Sequence, residues 1–460
     1  MAVLVSAIIV SVNEEQPVGR VWRETRQLLL VAGPLIANNL AIAGMNFTDA
    51  VMAGRISTLD LAAVGVGNAL YFAAFLFGLG TLMALSPITA QKLGAGQQHE
   101  VGADTRQALY LSQLVAIVVI ALMLNAEFFL RAFGIAADIQ PGAAGYINAI
   151  IYGSPAIFAF LALRFASEGI GHTRPIAVIA ALALLCNALF NYIFMYGKLG
   201  FPALGAVGCG YATAVTQWIM LAAMIWYMAR GNRRAYSELG IFERFDLPSL
   251  RGIGAIVVVG VPIGIGVLAE AGLFSAAAML MGRLGAGAAG AHQIAINYAA
   301  TMFMVPLAIS SATMALVGRR AGNDDKAGVR FTGMTGIAIC TLFMSVSAVL
   351  MLVFRDLVIG IYTDDPVVRD IAYSLLLMAA FFQVFDGVQV GAMGALRGLK
   401  DTTVPMVLSI VAYWGIGFVL AWYMVVVREA GPVWVWAGLA VGLIVAAVVL
   451  SARFALITRK

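Results

Sequence analysis

Twelve long apolar runs, separated by short polar segments, account for most of the chain. A helix needs about 20 predominantly apolar residues to cross the hydrocarbon core of a bilayer. Each run reaches that length, and in lipid only helices or closed barrels satisfy the backbone hydrogen bonds. The pattern predicts an all-α integral membrane protein with twelve transmembrane helices. The predicted helices are 27–54, 61–90, 107–131, 141–169, 175–197, 205–229, 251–282, 288–317, 331–355, 367–397, 402–427 and 432–456.

The two halves of the chain resemble each other on either side of a polar linker. Pro34 in VAGPLIANNLAIAG corresponds to Pro262 in VGVPIGIGVLAEAG, and ASEGIGHTRP corresponds to ALRGLKDTTVP. Parallel repeats are a transporter arrangement, with the binding site at the repeat interface. Each proline opens the hydrogen-bond ladder of a long helix, and we predict both to be hinges. The predicted domains are an extension at 1–26, a six-helix lobe at 27–229, a linker at 230–250 and a second six-helix lobe at 251–460.

Composition supports the membrane assignment, and the basic residues give an orientation. Hydrophobic residues make up 62% of the 460 positions and charged residues 11%, which excludes a soluble protein. The net charge of +5 is distributed over the loops, so it does not indicate nucleic-acid binding. If the amino terminus is cytoplasmic, seven of the 28 Lys and Arg residues lie on the opposite side, which is a positive-inside bias. We therefore expect both termini to be cytoplasmic. The seven are Arg55, Arg131, Lys198, Arg283, Arg355, Arg369 and Arg428.

Three carboxylates lie well inside apolar runs: Asp49, Glu270 and Asp386. A charge at the centre of a membrane helix costs about 2.5–3.5 kcal/mol on insertion scales, and such a residue marks an ion or substrate pathway by default. The alternative is a structural acid that hydrogen-bonds packed helices. Glu270 and Asp386 share the second half, and two carboxylates in one dry cavity cannot both stay charged cheaply. We therefore predict that this pair holds a proton or a cation. Glu168 differs, because Arg164 lies one turn earlier and favours an ion pair.

Amide side chains occur in pairs four residues apart, so that each pair shares one helix face. Asn187 and Asn191 form the first pair, and Gln293 and Asn297 form the second. They either hydrogen-bond neighbouring helices together or line a polar site. His292, near the outer end of its helix, is a further candidate for proton handling. The many Met and Phe residues suit an adaptable apolar lining for bulky organic cations.

Five motifs resemble one family in order along nearly the whole chain. They are PLIANNLAIAGMNFTDAVMAG, EGIGHTRP, CNALFNYIFMYGKLGFPALGAVGCGYATA, AHQIAINYAATMFMVPLAIS and FDGVQVGAMGALRGLKDTTVP. The chain is similar to the multidrug and toxic compound extrusion (MATE) family, NorM-like branch. The resemblance implies a V-shaped transporter of two six-helix lobes that exports cationic amphiphiles in exchange for sodium or protons.

The resemblance also assigns roles to individual residues. Glu270 and Asp386 match the cation-coupling acids of the second lobe and make a possible Na⁺ site. Asp49 matches the first-helix acid, with Asn187 and Asn191 on the polar face beside it, as a proton or substrate site. The predicted substrate contacts are Gln293, Asn297 and Phe382. Phe382 stands where some relatives have a Tyr whose hydroxyl helps to ligate the ion, and this departure favours protons over sodium.

The sequence agrees less well with functions other than multidrug export. A lipid-linked oligosaccharide flippase of the same superfamily would carry more basic residues in its cavity. The duplication argues against a receptor, and no HExxH, GxSxG or Walker motif supports an enzyme. We expect no cofactor beyond H⁺ or Na⁺ as coupling ion. The expected partners are small organic cations and membrane lipid, without nucleic acid, for a functional monomer in a bacterial inner membrane.

Overall fold

The computed structural model describes residues 17–231 and 236–459, so most of the predicted 1–26 extension lies outside the described residues. Within them, twelve helices are long and apolar enough to cross a membrane, which confirms the predicted fold class. They are α1 (Gly19–Gly54), α2 (Thr58–Gly94), α3 (Gln98–Met123), α4 (Gln140–Gly169), α5 (Arg174–Tyr196), α6 (Gly205–Arg230), α7 (Leu250–Arg283), α8 (Ala286–Gly322), α9 (Lys326–Val353), α10 (Pro366–Gly398), α11 (Thr403–Val427) and α12 (Val433–Ile457).

Helix α3 differs most from its prediction of 107–131. It begins at Gln98, because the polar residues before the apolar run are also helical. Lys92 forms salt bridges with two residues of this polar part, Glu100 at 3.1 Å and Asp104 at 2.6 Å. The helix ends at Met123, and a separate short helix, Ala126–Ala132, follows it. Hydropathy therefore located the span but not the turns that continue beyond the apolar run.

Local sequence explains several helix ends and irregularities. The Ser57 hydroxyl accepts the backbone N–H of Asp60 at 2.9 Å and caps α2, as expected for a Ser at this position. Gly197, with φ of 67°, ends α5 in the left-handed conformation that glycine adopts without strain. Pro34 and Pro262 both lie within continuous helices. Helix α11 is π-helical over Val411–Phe418 and again over Tyr423–Val427.

The chain forms two compact units whose boundaries fall inside helices. One unit is Gly33–Gly264, and the other begins at Ile265 and also includes the described residues before Gly33. The chain therefore passes between units in α1 and in α7, within two residues of Pro34 and Pro262. In α1, the turns before Gly33 pack with the unit that begins at Ile265. In α7, the turns up to Gly264 pack with the unit Gly33–Gly264.

Polar contacts fix the start of α1 within the unit that begins at Ile265. Glu24, which is 5% exposed, accepts a hydrogen bond from Arg320 Nη2 at 3.0 Å and a short one from the Thr332 hydroxyl. Arg320 also pairs with Asp325 at 2.9 Å. The Arg20 guanidinium lies 4.5 Å from the centre of the Phe331 ring, within cation–π range.

The segment before α7 is held in a comparable way within Gly33–Gly264. Arg106 on α3 pairs with Asp246 at 2.5 Å, and the Tyr110 hydroxyl donates to the Asp246 carbonyl at 2.8 Å. Tyr236 lies 2.5 Å from the Ser167 hydroxyl. Burial raises the pKa of Tyr236 to about 12, so its hydroxyl stays protonated at neutral pH. These contacts attach the linker to α3 and α4.

Candidate functional site

Asp49 lies on α1, in the unit Gly33–Gly264, and is 7% exposed. Asn191 on α5 donates from Nδ2 to Asp49 Oδ1 at 2.5 Å and to Asn187 Oδ1 at 3.2 Å. Asn187 in turn donates to the Thr213 hydroxyl at 3.5 Å. The structure thus brings together the three residues that the sequence predicted for the first site. Their spacing explains the geometry, because residues four apart share one face of a helix.

A cavity of about 80 Å³ opens beside Asp49. Its polar lining comes from Asn46, Asn68 and Tyr146, and its apolar lining includes Leu61 and Val64. Sequence reasoning missed Asn46 and Asn68. Asn46 could have been found, because it precedes Asp49 by three residues and therefore lies near the same helix face.

Glu270 and Asp386 lie in the other unit, on α7 and α10. Asp386 is 5% exposed and Glu270 is half-buried. The two carboxylates are close enough to interact electrostatically, as two acids within one lobe were predicted to do. Their like charges repel in surroundings of low dielectric constant. A proton or a cation that binds to this arrangement would relieve that repulsion.

Sequence reasoning missed Arg397, whose charge acts on Glu270. It is 8% exposed and interacts electrostatically with Glu270. Arg397 follows Asp386 by eleven residues on α10, which is close to three helical turns. The two residues therefore lie near one face, and this spacing could have identified the arginine.

Aromatic rings pack around the acid pair. Phe274 lies one turn after Glu270, and Phe382 lies one turn before Asp386. Their ring centroids are 6.1 Å apart in an edge-to-face arrangement, which is favourable for aromatic pairs. Phe382 also packs edge-to-face on Trp436 at 5.7 Å. Because it is 3% exposed, Phe382 belongs to the packed interior beside the acids.

The remaining predicted residues lie on α8. Gln293 is exposed and donates to Asn297 Oδ1 at 2.9 Å, so the two amides share one face. His292 is buried, and its Nδ1 accepts a hydrogen bond from the Trp436 indole at 3.2 Å. This bond makes the histidine part of the packing around Trp436. The substrate contact predicted at its exposed neighbour Gln293 stays a prediction.

Two further predictions concern structure and ions. Arg164 Nε lies 3.8 Å from Glu168, in the expected ion pair. In the part of the chain that the structure describes, no three His, Cys, Asp or Glu side chains converge on one point. A cation at Glu270 and Asp386 would therefore take its other ligands from different residue types.

Comparison with known proteins gives a consistent result. The MatE family profile matches residues 34–193 and 262–423, so each matched region begins at one of the two paired prolines. The chain is 40% identical over 437 residues to "Probable multidrug resistance protein NorM" of Xanthomonas campestris pv. campestris, covering 95% of both chains. It is 38% identical over 449 residues to "Multidrug resistance protein PmpM" of Pseudomonas aeruginosa, covering 96% of this chain and 93% of that one. Its fold resembles the crystal structure of the eukaryotic MATE transporter AtDTX14, with a TM-score of 0.86, 19% identity, and coverage of 94% and 96%.

Proposed function

Because the chain belongs to the MatE family of multi-pass membrane transporters, we propose that it is a secondary active antiporter that exports organic cations. The coupling ion is H⁺ or Na⁺, the membrane is the bacterial inner membrane, and both termini are cytoplasmic. The names of its relatives, which are multidrug resistance proteins, support drugs as the substrate class.

The observation that carries the proposal is the pair of interacting acids, the half-buried Glu270 and the buried Asp386. Two interacting carboxylates among membrane-spanning helices are expensive unless a cation or a proton occupies them. Antiport requires that the exported cation and the coupling ion weaken each other's binding. Such coupling is reciprocal and typically amounts to about 1–3 kcal/mol, which like charges near one acid pair can supply.

Asp49 provides a second acidic position for this mechanism. Asn191 donates to its carboxylate, and a polar cavity lies beside it, so a proton or part of a substrate can be received there. The unit boundaries beside Pro34 and Pro262 support the hinge role of the prolines, since each proline makes its helix easier to bend.

The test is drug export by whole cells and by proteoliposomes. Expression in a pump-deficient host should lower ethidium accumulation, and proteoliposomes with separate sodium and proton gradients should show which ion drives export. Glu270→Gln, Asp386→Asn and Asp49→Asn should each impair export without loss of folded protein.

Asp370→Asn is the matched control, because Asp370 lies on α10 with Asp386 but is exposed. Its export should equal that of the wild type. Unchanged ethidium accumulation with folded protein in the membrane would refute the export function, and full activity of the Glu270 and Asp386 variants would refute their role.

A further inference from the structure

Two short helices follow membrane spans in corresponding places of the two halves. The first short helix, Ala126–Ala132, begins three residues after α3 ends at Met123. The second short helix, Arg355–Gly360, begins two residues after α9 ends at Val353. Spans α3 and α9 are each the third membrane helix of their half. Because a span ends where the hydrocarbon core meets the headgroups, both short helices begin near that level.

The first short helix divides its side chains among three faces. Leu130 is buried and packs with Ala143 of α4, which attaches one face to the protein. Glu127 and Arg131 form a salt bridge of 3.1 Å on a second face, where both side chains are exposed. Phe128 precedes Leu130 by two residues, which is about 200° around the helix, so it lies on the side away from α4. It is 67% exposed.

The second short helix also presents an apolar face that the protein does not cover. Ile359 is buried, whereas Leu357 and Ile361 are 63% and 73% exposed. Each of these two residues is two positions from Ile359 and therefore lies on the opposite side of the helix turn. The exposed face is thus opposite the one that packs against the protein.

The charged residues of the second short helix contact α10. The Arg355 guanidinium lies 5.1 Å from the centre of the Tyr373 ring. The Tyr373 hydroxyl donates to the Asp356 carboxylate. Since Tyr373 on α10 holds both charged groups, the face with Leu357 and Ile361 is left apolar.

Exposed apolar residues continue from each span through the connection into the short helix. In the first half and then in the second, they are Leu122, Leu124 and Phe128, and Val353, Phe354 and Leu357. Large exposed apolar patches mark a surface that contacts something other than water. At the end of a membrane span, the nearest apolar material is the lipid that surrounds the span.

We propose that both short helices are interfacial anchors, whose exposed apolar side chains insert into the headgroup–acyl boundary of the bilayer. Amphipathic helices bind lipid in this way, with the apolar face about 5–10 Å inside the boundary. Bilayer lipid fits better than a protein partner, because the apolar row starts on a membrane span and the Glu127–Arg131 pair carries no net charge. With cytoplasmic termini, this lipid belongs to the outer leaflet.

The anchors would hold the ends of α3 and α9 at a constant depth. Leu130 and Ile359 attach the short helices to the packed interior, so a short helix that stays at the lipid boundary also keeps its neighbours there. The inference goes beyond the export function and is independent of the coupling ion.

The experiment measures the bilayer depth of single positions by spin-label accessibility. Full-length protein in phosphatidylcholine liposomes carries p-acetylphenylalanine with a ketoxime-linked spin label in place of Phe128 or Leu357. This chemistry leaves the three native cysteines unchanged. Electron paramagnetic resonance then compares collisions with oxygen, which dissolves in hydrocarbon, and with a nickel chelate, which stays in water.

The matched controls carry the same label at water-facing positions. They are Glu127, on the polar face of the first short helix, and the fully exposed Asp364, which follows the second. We expect the oxygen-to-nickel collision ratio to be about tenfold higher at Phe128 than at Glu127, and likewise at Leu357 relative to Asp364, for side chains inserted at the interface.

Two results would overturn the proposal for the short helix concerned. A ratio equal to that of the control would show that water covers the apolar face. Low collision rates with both reagents would show that protein covers it, either a partner or a second copy of this chain. If a label prevents folding, the exposed Phe133 and Ile361 take the places of Phe128 and Leu357. Ethidium export is not the readout, so failure of the export function would leave this result unaffected.

Discussion

The buried carboxylate of Glu24 gives a quantitative prediction about how the start of α1 is held. The Thr332 hydroxyl on α9 donates to Glu24 Oε1, and Arg320 donates to Oε2 at 3.0 Å. Arg320 is 37% exposed at its side chain, so solvent screens its contribution. Thr332 is fully buried, so solvent does not screen its hydrogen bond. Removing that bond therefore has an effect that is easier to interpret than removing the one from Arg320. Thr332→Val is the informative change, because it keeps the shape of the side chain.

The expected loss of unfolding free energy in Thr332→Val follows from the negative charge of the acceptor, Glu24. A hydrogen bond to a charged group contributes about 1.5–3 kcal/mol to stability. The matched control is Thr335→Val, one turn further along α9, whose hydroxyl donates to the Phe331 carbonyl of its own helix at 2.8 Å. That bond is neutral and local, so its loss should cost less than about 1 kcal/mol.

A double-mutant cycle separates this bond from general packing. Glu24→Gln, Thr332→Val and the double variant should show a coupling energy of about 1–2 kcal/mol, within the range for directly bonded residues. The free energy of unfolding would be measured in dodecylmaltoside micelles titrated with sodium dodecyl sulfate and followed by circular dichroism. Equal losses in Thr332→Val and Thr335→Val, or fully additive effects of the Glu24 and Thr332 changes, would refute the argument.

Two further predictions concern a helix cap and the orientation of the chain. Burial alone would raise the pKa of Asp325, but the backbone N–H of Gly328 at 2.8 Å and Arg320 lower it overall. The folded pKa thus lies below the unfolded value of about 3.9, so the cap stabilises α9 above that value and is lost as pH falls through the folded pKa. Hydrogen exchange in the first turn of α9, corrected for intrinsic rates, should be constant from about pH 7 to 5 and rise below about pH 4, and Asp325→Asn should abolish that rise. For the orientation, reporter fusions after Lys460 and in the 355–366 loop should lie on opposite sides of the membrane, and the same side for both would refute it.

The sequence predicted the helices because the bilayer imposes a simple requirement on them. Each span must be apolar and hydrogen-bonded within itself, and both properties are visible in one dimension. The bounds of α3 could not be predicted from hydropathy, because its first turns are polar. These turns are helical and pair with Lys92. The division of the chain within α1 and α7 was equally hidden, since packing rather than composition decides which unit the first turns of a helix join.

The candidate site shows the same limit at the level of single residues. Glu270, Asp386 and Asp49 stand out because an acid within an apolar run is rare and costly. Asn68 does not stand out, because an amide in a membrane helix has many ordinary uses. Its place in the cavity beside Asp49 depends on how α2 packs near α1. No periodicity in the sequence indicates that packing.

The acids inside the membrane helices have different surroundings in the two halves of the duplicated chain. In the unit Gly33–Gly264, neutral donors on α5 satisfy Asp49 directly, through Asn191 and its contact with Asn187. In the other unit, the like charges of Glu270 and Asp386 repel each other. Amide donors lower the cost of a charge on Asp49, whereas a repelling pair needs a bound proton or cation to relieve the repulsion. This difference in hydrogen bonding supports the proposal that the coupling ion binds in the second half of the chain, at Glu270 and Asp386.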